Sequence, residues 1–264
     1  MKRYLLLIAT VLGCTTAQAA PPIVLRELPT AQAVQGAADD LDAIYAIEDH
    51  SIARFDRKSG RRLALWEGDP SIYIHINACE RVDHRLACAM SNYPGVPMSS
   101  SLEWFDATSL RHLGTHSFGP GWGSLTWIDW QRGSWWACFA NYDGSGGSPP
   151  ADHRATVLVR LDTRFIPQES WLFPEDVLNA FGRDSASGGR WGRDGLLYVT
   201  GHDRPELYVL SLPVAGGRLR HVSTRVIAFH GQAFDWDVIN QRAIWGIDRQ
   251  RHMLIESLIG DDFH

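Results

Sequence analysis

The chain is built from short apolar runs, each closed by polar residues, glycine or proline. Ala43–Ile44–Tyr45–Ala46–Ile47, Leu86–Ala87–Cys88–Ala89–Met90, Val157–Leu158–Val159, Leu196–Leu197–Tyr198–Val199 and Ala243–Ile244–Trp245–Gly246–Ile247 are examples. Runs of this length, rich in β-branched and aromatic residues and bounded by turn formers, predict strands. Their apolar/polar alternation is loose, which suits strands packed on both faces. One stretch departs from this pattern. Phe173–Pro174–Glu175–Asp176–Val177–Leu178–Asn179–Ala180–Phe181 has the apolar spacing of a single short helix on a rim.

The runs recur in one grammar: a small or glycine-containing start, a hairpin, a strand ending in polar residues, a third strand, then a turn. Gly36, Asn77, Ser124, Gly188 and Gln232 open five such segments, at spacings of 41, 47, 64 and 44 residues. A four-stranded propeller blade takes roughly 40–50 residues, and the longest interval has the helical insertion to absorb. The fifth segment has room for three strands, and an unassigned strand, Ile23–Val24–Leu25–Arg26, stands at the other end. The prediction is therefore an all-β chain: a five-bladed β-propeller whose ring is closed by the N-terminal strand, leaving no open edge. A solenoid is disfavoured by the irregular spacing and the lack of polar capping repeats. A sixth blade would need a second hairpin in the 64-residue interval, which has one.

Residues 1–19 have a different character. Lys2 and Arg3 precede an apolar run from Tyr4 to Gly13, and Ala17–Gln18–Ala19 is an A-x-A cleavage box. This is the pattern of a secretory signal peptide, too short to span a bilayer. The expected organisation is residues 1–19 as signal and 20–264 as one propeller domain, periplasmic or secreted. Lipid attachment at Cys14, within Val11–Leu12–Gly13–Cys14, is the competing reading. Cleavage removes two basic groups and no acidic one, so the formal charge moves from -5 to -7. A mildly acidic chain with no basic stripe argues against a nucleic-acid partner. Cys79 and Cys88 face each other across a hairpin turning at Asp83–His84, within disulfide reach in an oxidising compartment.

Gln35–Gly36–Ala37 with Ile52–Ala53–Arg54–Phe55–Asp56 resembles the repeat of NHL and SMP-30-type propellers. Gly192–Arg193–Asp194–Gly195–Leu196–Leu197–Tyr198–Val199–Thr200–Gly201 resembles their inner hairpin. Tracts such as Ser91–Asn92–Tyr93–Pro94–Gly95–Val96–Pro97 are similar to exported bacterial propellers sometimes labelled cycloisomerase. The resemblance implies a site at the channel mouth and leaves its chemistry open, since one fold hosts many activities.

In a propeller, the starts of the inner strands and the loops between second and third strands share one face. That rule gathers Gln35, His75, Asn77, Ser124, Ser187 and Gln232 from strand starts, with Glu48, Asp49, Asn92, Asn141, Asp143, His202, Asp203 and Asp248 from loops. His202 beside Asp203 is the first candidate for a general base, with His75 across the mouth; the same residues equally serve as loop caps. Asn77, Asn92, Trp122, Ser124, Asn141 and Gln232 are candidate ligand contacts. Glu48, Asn92, Asn141 and Asp248 are the oxygen donors available to a divalent cation such as Ca²⁺, as the SMP-30 resemblance implies. Trp127, Trp130, Trp135 and Trp136 serve either core packing or a sugar-stacking platform. No nucleophile elbow, P-loop, H-E-x-x-H or dinucleotide fingerprint is present. Two functions follow: a propeller binding a small molecule, glycan or exported protein at its mouth, or an enzyme there. The enzyme would be a cycloisomerase or lyase using His202 and Asp203, or a metal-assisted hydrolase of lactones or esters.

Overall fold

The computed structural model describes residues 21–144, 146 and 150–259. The signal-peptide reading and Cys14 lie outside the described residues, as do the chain end and part of the Gly/Ser-rich loop after Asp143. The strands, in chain order, are β1 (Ile23–Pro29), β2 (Gly36–Asp39), β3 (Ala43–Glu48), β4 (Ser51–Asp56) and β5 (Arg62–Glu67). Then come β6 (His75–Val82), β7 (Arg85–Ser91), β8 (Ser99–Asp106) and β9 (His112–Pro120). β10 (Ser124–Gln131), β11 (Ser134–Ala140), β12 (Val157–Leu161) and β13 (Pro167–Leu172) precede one helix, α1 (Glu175–Phe181). β14 (Gly188–Trp191), β15 (Leu197–Thr200), β16 (Glu206–Ser211), β17 (Arg220–Val226), β18 (Asp235–Trp236), β19 (Ala243–Asp248) and β20 (Met253–Leu258) complete the chain.

These strands form five antiparallel four-stranded sheets, each a blade running from channel to rim. Four blades are continuous in sequence. The fifth takes β18, β19 and β20 from the C-terminal end and β1 from the N-terminal end, with Ile23 opposite Leu258 and Pro29 opposite Met253. The five-bladed ring and its closure by the N-terminal strand are as the repeat pattern predicts. The long third interval has two causes. One is α1, which buries Val177, Leu178 and Phe181, and the other is the connection between β11 and β12, which carries a short 3-10 turn.

Packing explains why the blades need each other. Each blade-to-blade seam holds its own apolar cluster. Tyr45 packs with Ile76 and Leu86 between blades one and two, and Leu125 and Phe139 pack with Ala87 and Leu102 between two and three. Trp127 and Cys138 meet Leu197 and Val199 at the next seam, Tyr198 meets Phe234 and Ile244, and Trp245 meets Ala37 and Ile44. Gly189 is needed at one of these seams, because a Cβ there would lie 2.4 Å from the fully buried Trp127 ring. The recurrent aspartate ending the third strand also has a mechanical role. Asp56 accepts from the Ser59 N–H at 2.7 Å and Asp106 from that of Ser109 at 2.8 Å, so the carboxylate folds the turn into the outer strand. Cys79 and Cys88 are joined by a disulfide across β6 and β7, and Cys138 is a buried thiol.

Candidate functional site

The inner strands β2, β6, β10, β14 and β18 surround the channel, and their starts lie on the same face as the connections between second and third strands. Close approach of chains builds this face. Gly231 has φ +51°, and a Cβ there would meet the His202 carbonyl oxygen at 2.3 Å. Two hydrogen bonds, Gly231 N–H to Arg204 O (3.1 Å) and Gln232 N–H to Gly201 O (3.1 Å), fasten the His202 loop against the start of the fifth blade.

A cavity of about 180 Å³ opens here, walled by Gln35, His75, Asn77, Tyr93, Thr126, Tyr142, Asp184, Ser187, His202, Gln232 and Arg249. Six of these were singled out from sequence: Gln35, His75, Asn77, Ser187, His202 and Gln232. Asn77 donates to Leu125 O at 3.2 Å, linking two inner strands, and Gln232 is buried at φ +65°. Ser124 is fully buried and bonds the Ser91 hydroxyl at 2.8 Å, behind the wall.

The two histidines differ in their freedom. His75 Nδ1 lies 2.6 Å from Asp49 Oδ1, and Gln35 Nε2 donates to the same oxygen at 2.8 Å. Burial would raise the Asp49 carboxyl, but the His75 hydrogen bond and charge, with Gln35, hold it below the ordinary carboxylate range. With Nδ1 donating to Asp49, Nε2 is the ring nitrogen left for a ligand. The His202 ring is engaged at both nitrogens: Nδ1 is 2.6 Å from Asp203 Oδ1, and Nε2 is 3.1 Å from Arg249 Nη1. Since a guanidinium only donates, Nε2 accepts, and His202 is a bracket that holds Arg249. The His–Asp constellation with an available nitrogen on the cavity wall is therefore His75–Asp49. Tyr93 stacks obliquely on His75 (ring centroids 5.1 Å apart) and meets Tyr142 edge-on at 5.1 Å. Burial pushes the Tyr142 phenol far above its ordinary range, against the lowering effect of a hydrogen bond with Ser124.

The remaining candidates lie outside the cavity wall. Glu48 accepts from the His50 N–H and the Ser51 hydroxyl, both at 3.0 Å. Asn92 spans its own loop to Pro97 O and the Ser99 N–H, and Asn141 donates to Ala155 O at 3.3 Å. Asp248 caps its turn and pairs with Arg251 at 2.6 Å. None of these four is among the residues that line the cavity. Among the described residues, His, Asp and Glu ligand atoms gather within 4.8 Å of one another in three groups: Glu48–Asp49–His50, Asp143–Asp152–His153 and Asp184–His202–Asp203. Trp122 is one-third exposed on the connection between β9 and β10 and packs obliquely on Phe139.

Below the mouth the channel is closed. Arg190, on β14, is buried and donates to Cys79 O (2.6 Å), Ile128 O (3.1 Å), Gly189 O (3.2 Å) and Asp235 Oδ1 (3.1 Å). One guanidinium thus touches four inner strands, and the Asp39 N–H on the fifth reaches Asp235 Oδ2 at 3.0 Å. Asp129 stands 3.8 Å from Arg190, and Glu80 accepts the Trp130 N–H at 2.7 Å beside it. Burial raises the Glu80, Asp129 and Asp235 carboxyls against the opposing pull of Arg190. Burial would lower Arg190, but Asp235, Glu80 and Asp129 together raise it instead. Nearer the lower face Arg57 pairs with Asp39 and, at 2.9 Å, with Asp237.

This arrangement defines a class: a closed-ring, five-bladed β-propeller with a polar mouth. No family model and no curated protein matches the sequence. Solved structures do resemble this chain. A chain of the mitotic checkpoint complex superposes with a TM-score of 0.52 at 12% identity, covering 97% of this chain and 99% of that one. A luciferin-regenerating enzyme superposes at 0.52 with 8% identity, over 92% and 97%. The WD40 repeats of RRP9 reach 0.49 with 10% identity, over 92% and 100%. At such identities the likeness concerns the fold alone.

Proposed function

We propose that this chain is a binding propeller that receives a small polar molecule in its mouth. The observation that carries this reading is the cavity itself: every blade contributes a polar wall residue. Its volume is below that of drug-sized sites, which start at about 300 Å³. Arg249, held by His202, supplies a fixed cation for a ligand carboxylate or similar group. The Tyr93 and Tyr142 rings and the amides on Gln35, Asn77 and Gln232 serve the rest. Residues 1–19, read as a signal peptide, and the Cys79–Cys88 disulfide support export to an oxidising compartment.

A screen of small polar acids and sugars by thermal shift, followed by calorimetry on each hit, tests the reading. A charge-assisted hydrogen bond contributes about 1.5–3 kcal/mol, so Arg249→Ala should weaken binding by roughly 10–100-fold. Binding that Arg249→Ala and His75→Ala both leave unchanged would remove the mouth from the function. The His75–Asp49 pair favours one second reading, proton transfer on the bound molecule. Incorporation of solvent deuterium into a mouth ligand, lost in His75→Gln while binding persists, distinguishes that enzyme from a pure binder.

A further inference from the structure

The wall of the mouth cavity carries one guanidinium, Arg249, and one carboxylate, Asp184. Arg249 lies on the turn after β19, and among the described residues its guanidinium has a single partner, the His202 Nε2 acceptor at 3.1 Å. Asp184 ends the short 3-10 turn Gly182–Asp184 behind α1. Among the described residues its carboxylate accepts no hydrogen bond, and its one ion-pair contact is the exposed Arg183, 3.7 Å away. His202 stands beside both charges. A His202 ring nitrogen, an Asp184 oxygen and an Asp203 oxygen lie within 4.8 Å of one another. One imidazole thus has a guanidinium and a carboxylate for neighbours, and the two do not pair with each other.

Charge and size together identify the ligand class. A guanidinium recognises a carboxylate, and a carboxylate recognises an ammonium. A small molecule that carries both groups close together satisfies both wall charges at once. The size fits: a water molecule takes about 30 Å³ of the liquid, so a cavity of about 180 Å³ suits a ligand of about six to nine non-hydrogen atoms. Gln35, Asn77, Ser187 and Gln232 on the same wall offer hydrogen bonds to a hydroxyl or amide side chain. A divalent cation could also use Asp184, His202 and Asp203, but the Arg249 guanidinium beside the same imidazole repels it. We infer that the mouth binds a small polar α-amino acid as its zwitterion, carboxylate on Arg249 and ammonium on Asp184. This rests on the mouth being the binding site and narrows its ligand from polar molecules in general to one class.

The test is calorimetric titration of the full chain with L-serine, L-threonine and L-asparagine, with EDTA present to remove metal ions. Two comparators each lack one charge: 3-hydroxypropionate is serine without its ammonium, and ethanolamine is serine without its carboxylate. At least one amino acid should bind, at least tenfold more tightly than either comparator. Asp184→Asn should weaken that amino acid at least tenfold and erase its preference over 3-hydroxypropionate. Arg249→Ala should weaken it at least tenfold and erase its preference over ethanolamine. The comparison on the parent chain needs no variant, so it decides the matter even if a variant fails to fold. No binding by any of the three amino acids overturns the proposal. Binding of 3-hydroxypropionate as tight as theirs, and lost in Arg249→Ala, overturns the zwitterion while the mouth remains a site for acids. Amino-acid binding that both variants leave unchanged lies outside the mouth and overturns the proposal together with the reading it rests on.

Discussion

Replacing Arg190 by methionine isolates the energetics of the channel plug. The apolar chain keeps the approximate length and removes the charge. Four acceptors then lose the guanidinium as a donor: Cys79 O, Ile128 O, Gly189 O and the Asp235 carboxylate, which keeps the Asp39 and Trp236 N–H groups. Asp129, 6% exposed, stays in place without its cation. Breaking a buried ion pair from one side costs about 3–5 kcal/mol, and each stranded buried carbonyl adds about 1–3 kcal/mol before relaxation. With relaxation and water entry, a loss of about 5 kcal/mol at pH 8 is expected. At about 2–4 °C per kcal/mol for a chain of this size, the midpoint falls by roughly 10–20 °C. The pH dependence is the sharper test. Glu80, Asp129 and Asp235 already have raised carboxyls, so the folded state holds protons that the unfolded state releases. Without Arg190 these carboxyls rise further, and folding takes up more protons. Stability must then fall more steeply with pH in the variant than in the parent, and the difference shrinks on acidification, to about 2–3 kcal/mol at pH 5. Urea unfolding of both proteins at pH 5, 6.5 and 8, read by fluorescence and circular dichroism, measures this. A penalty that is constant across these values, or larger at pH 5, would refute the assignment of Arg190 as the counter-charge of the cluster.

Three further outcomes are expected. Burial raises Asp39 to about 8 against the lowering effects of the Val238 N–H and Arg57, so its contribution to stability is full at acid pH and is lost as pH rises through that value. Asp39→Asn should flatten the decline of the unfolding free energy between pH 6 and 9, and an unchanged slope would contradict the shift. Gly189→Ala forces a Cβ to 2.4 Å from Trp127 and should cost about 1–3 kcal/mol by denaturant unfolding, with full stability showing that the seam can open. His202→Ala should weaken a mouth ligand less than Arg249→Ala, because His202 acts by holding Arg249. A stronger effect of His202→Ala in calorimetry would mean that the histidine itself touches the ligand.

The blade count was legible because each blade must bury both faces, so each repeats the same short apolar runs and the same aspartate-led turn. Asp56 and Asp106 perform that turn with the same serine contact, and local chemistry of this kind survives in sequence. The closing strand was legible for a complementary reason: Ile23–Val24–Leu25–Arg26 was a strand without a hairpin, and a fifth blade lacked one. The disulfide followed from hairpin register, with Cys79 opposite Cys88.

The site was legible only to the nearest loop. Asn92, Asn141 and Asp248 were chosen by residue type, whereas the wall is made by their neighbours Tyr93, Tyr142 and Arg249. In each case the amide or carboxylate is consumed in shaping its own turn, which is what short polar side chains do at strand ends. The adjacent, longer side chain is then free to project into the cavity. The same logic separates His75 from His202, since a histidine joined to a carboxylate on one nitrogen and an arginine on the other is already spent. Arg190 had no sequence signal, because its partners on β6, β10 and β18 come together only when the ring closes. Since that residue bonds four inner strands, the two faces of the propeller cannot communicate through an open channel. Coupling between a ligand at the mouth and the opposite face would have to pass through Arg190 and its carboxylates.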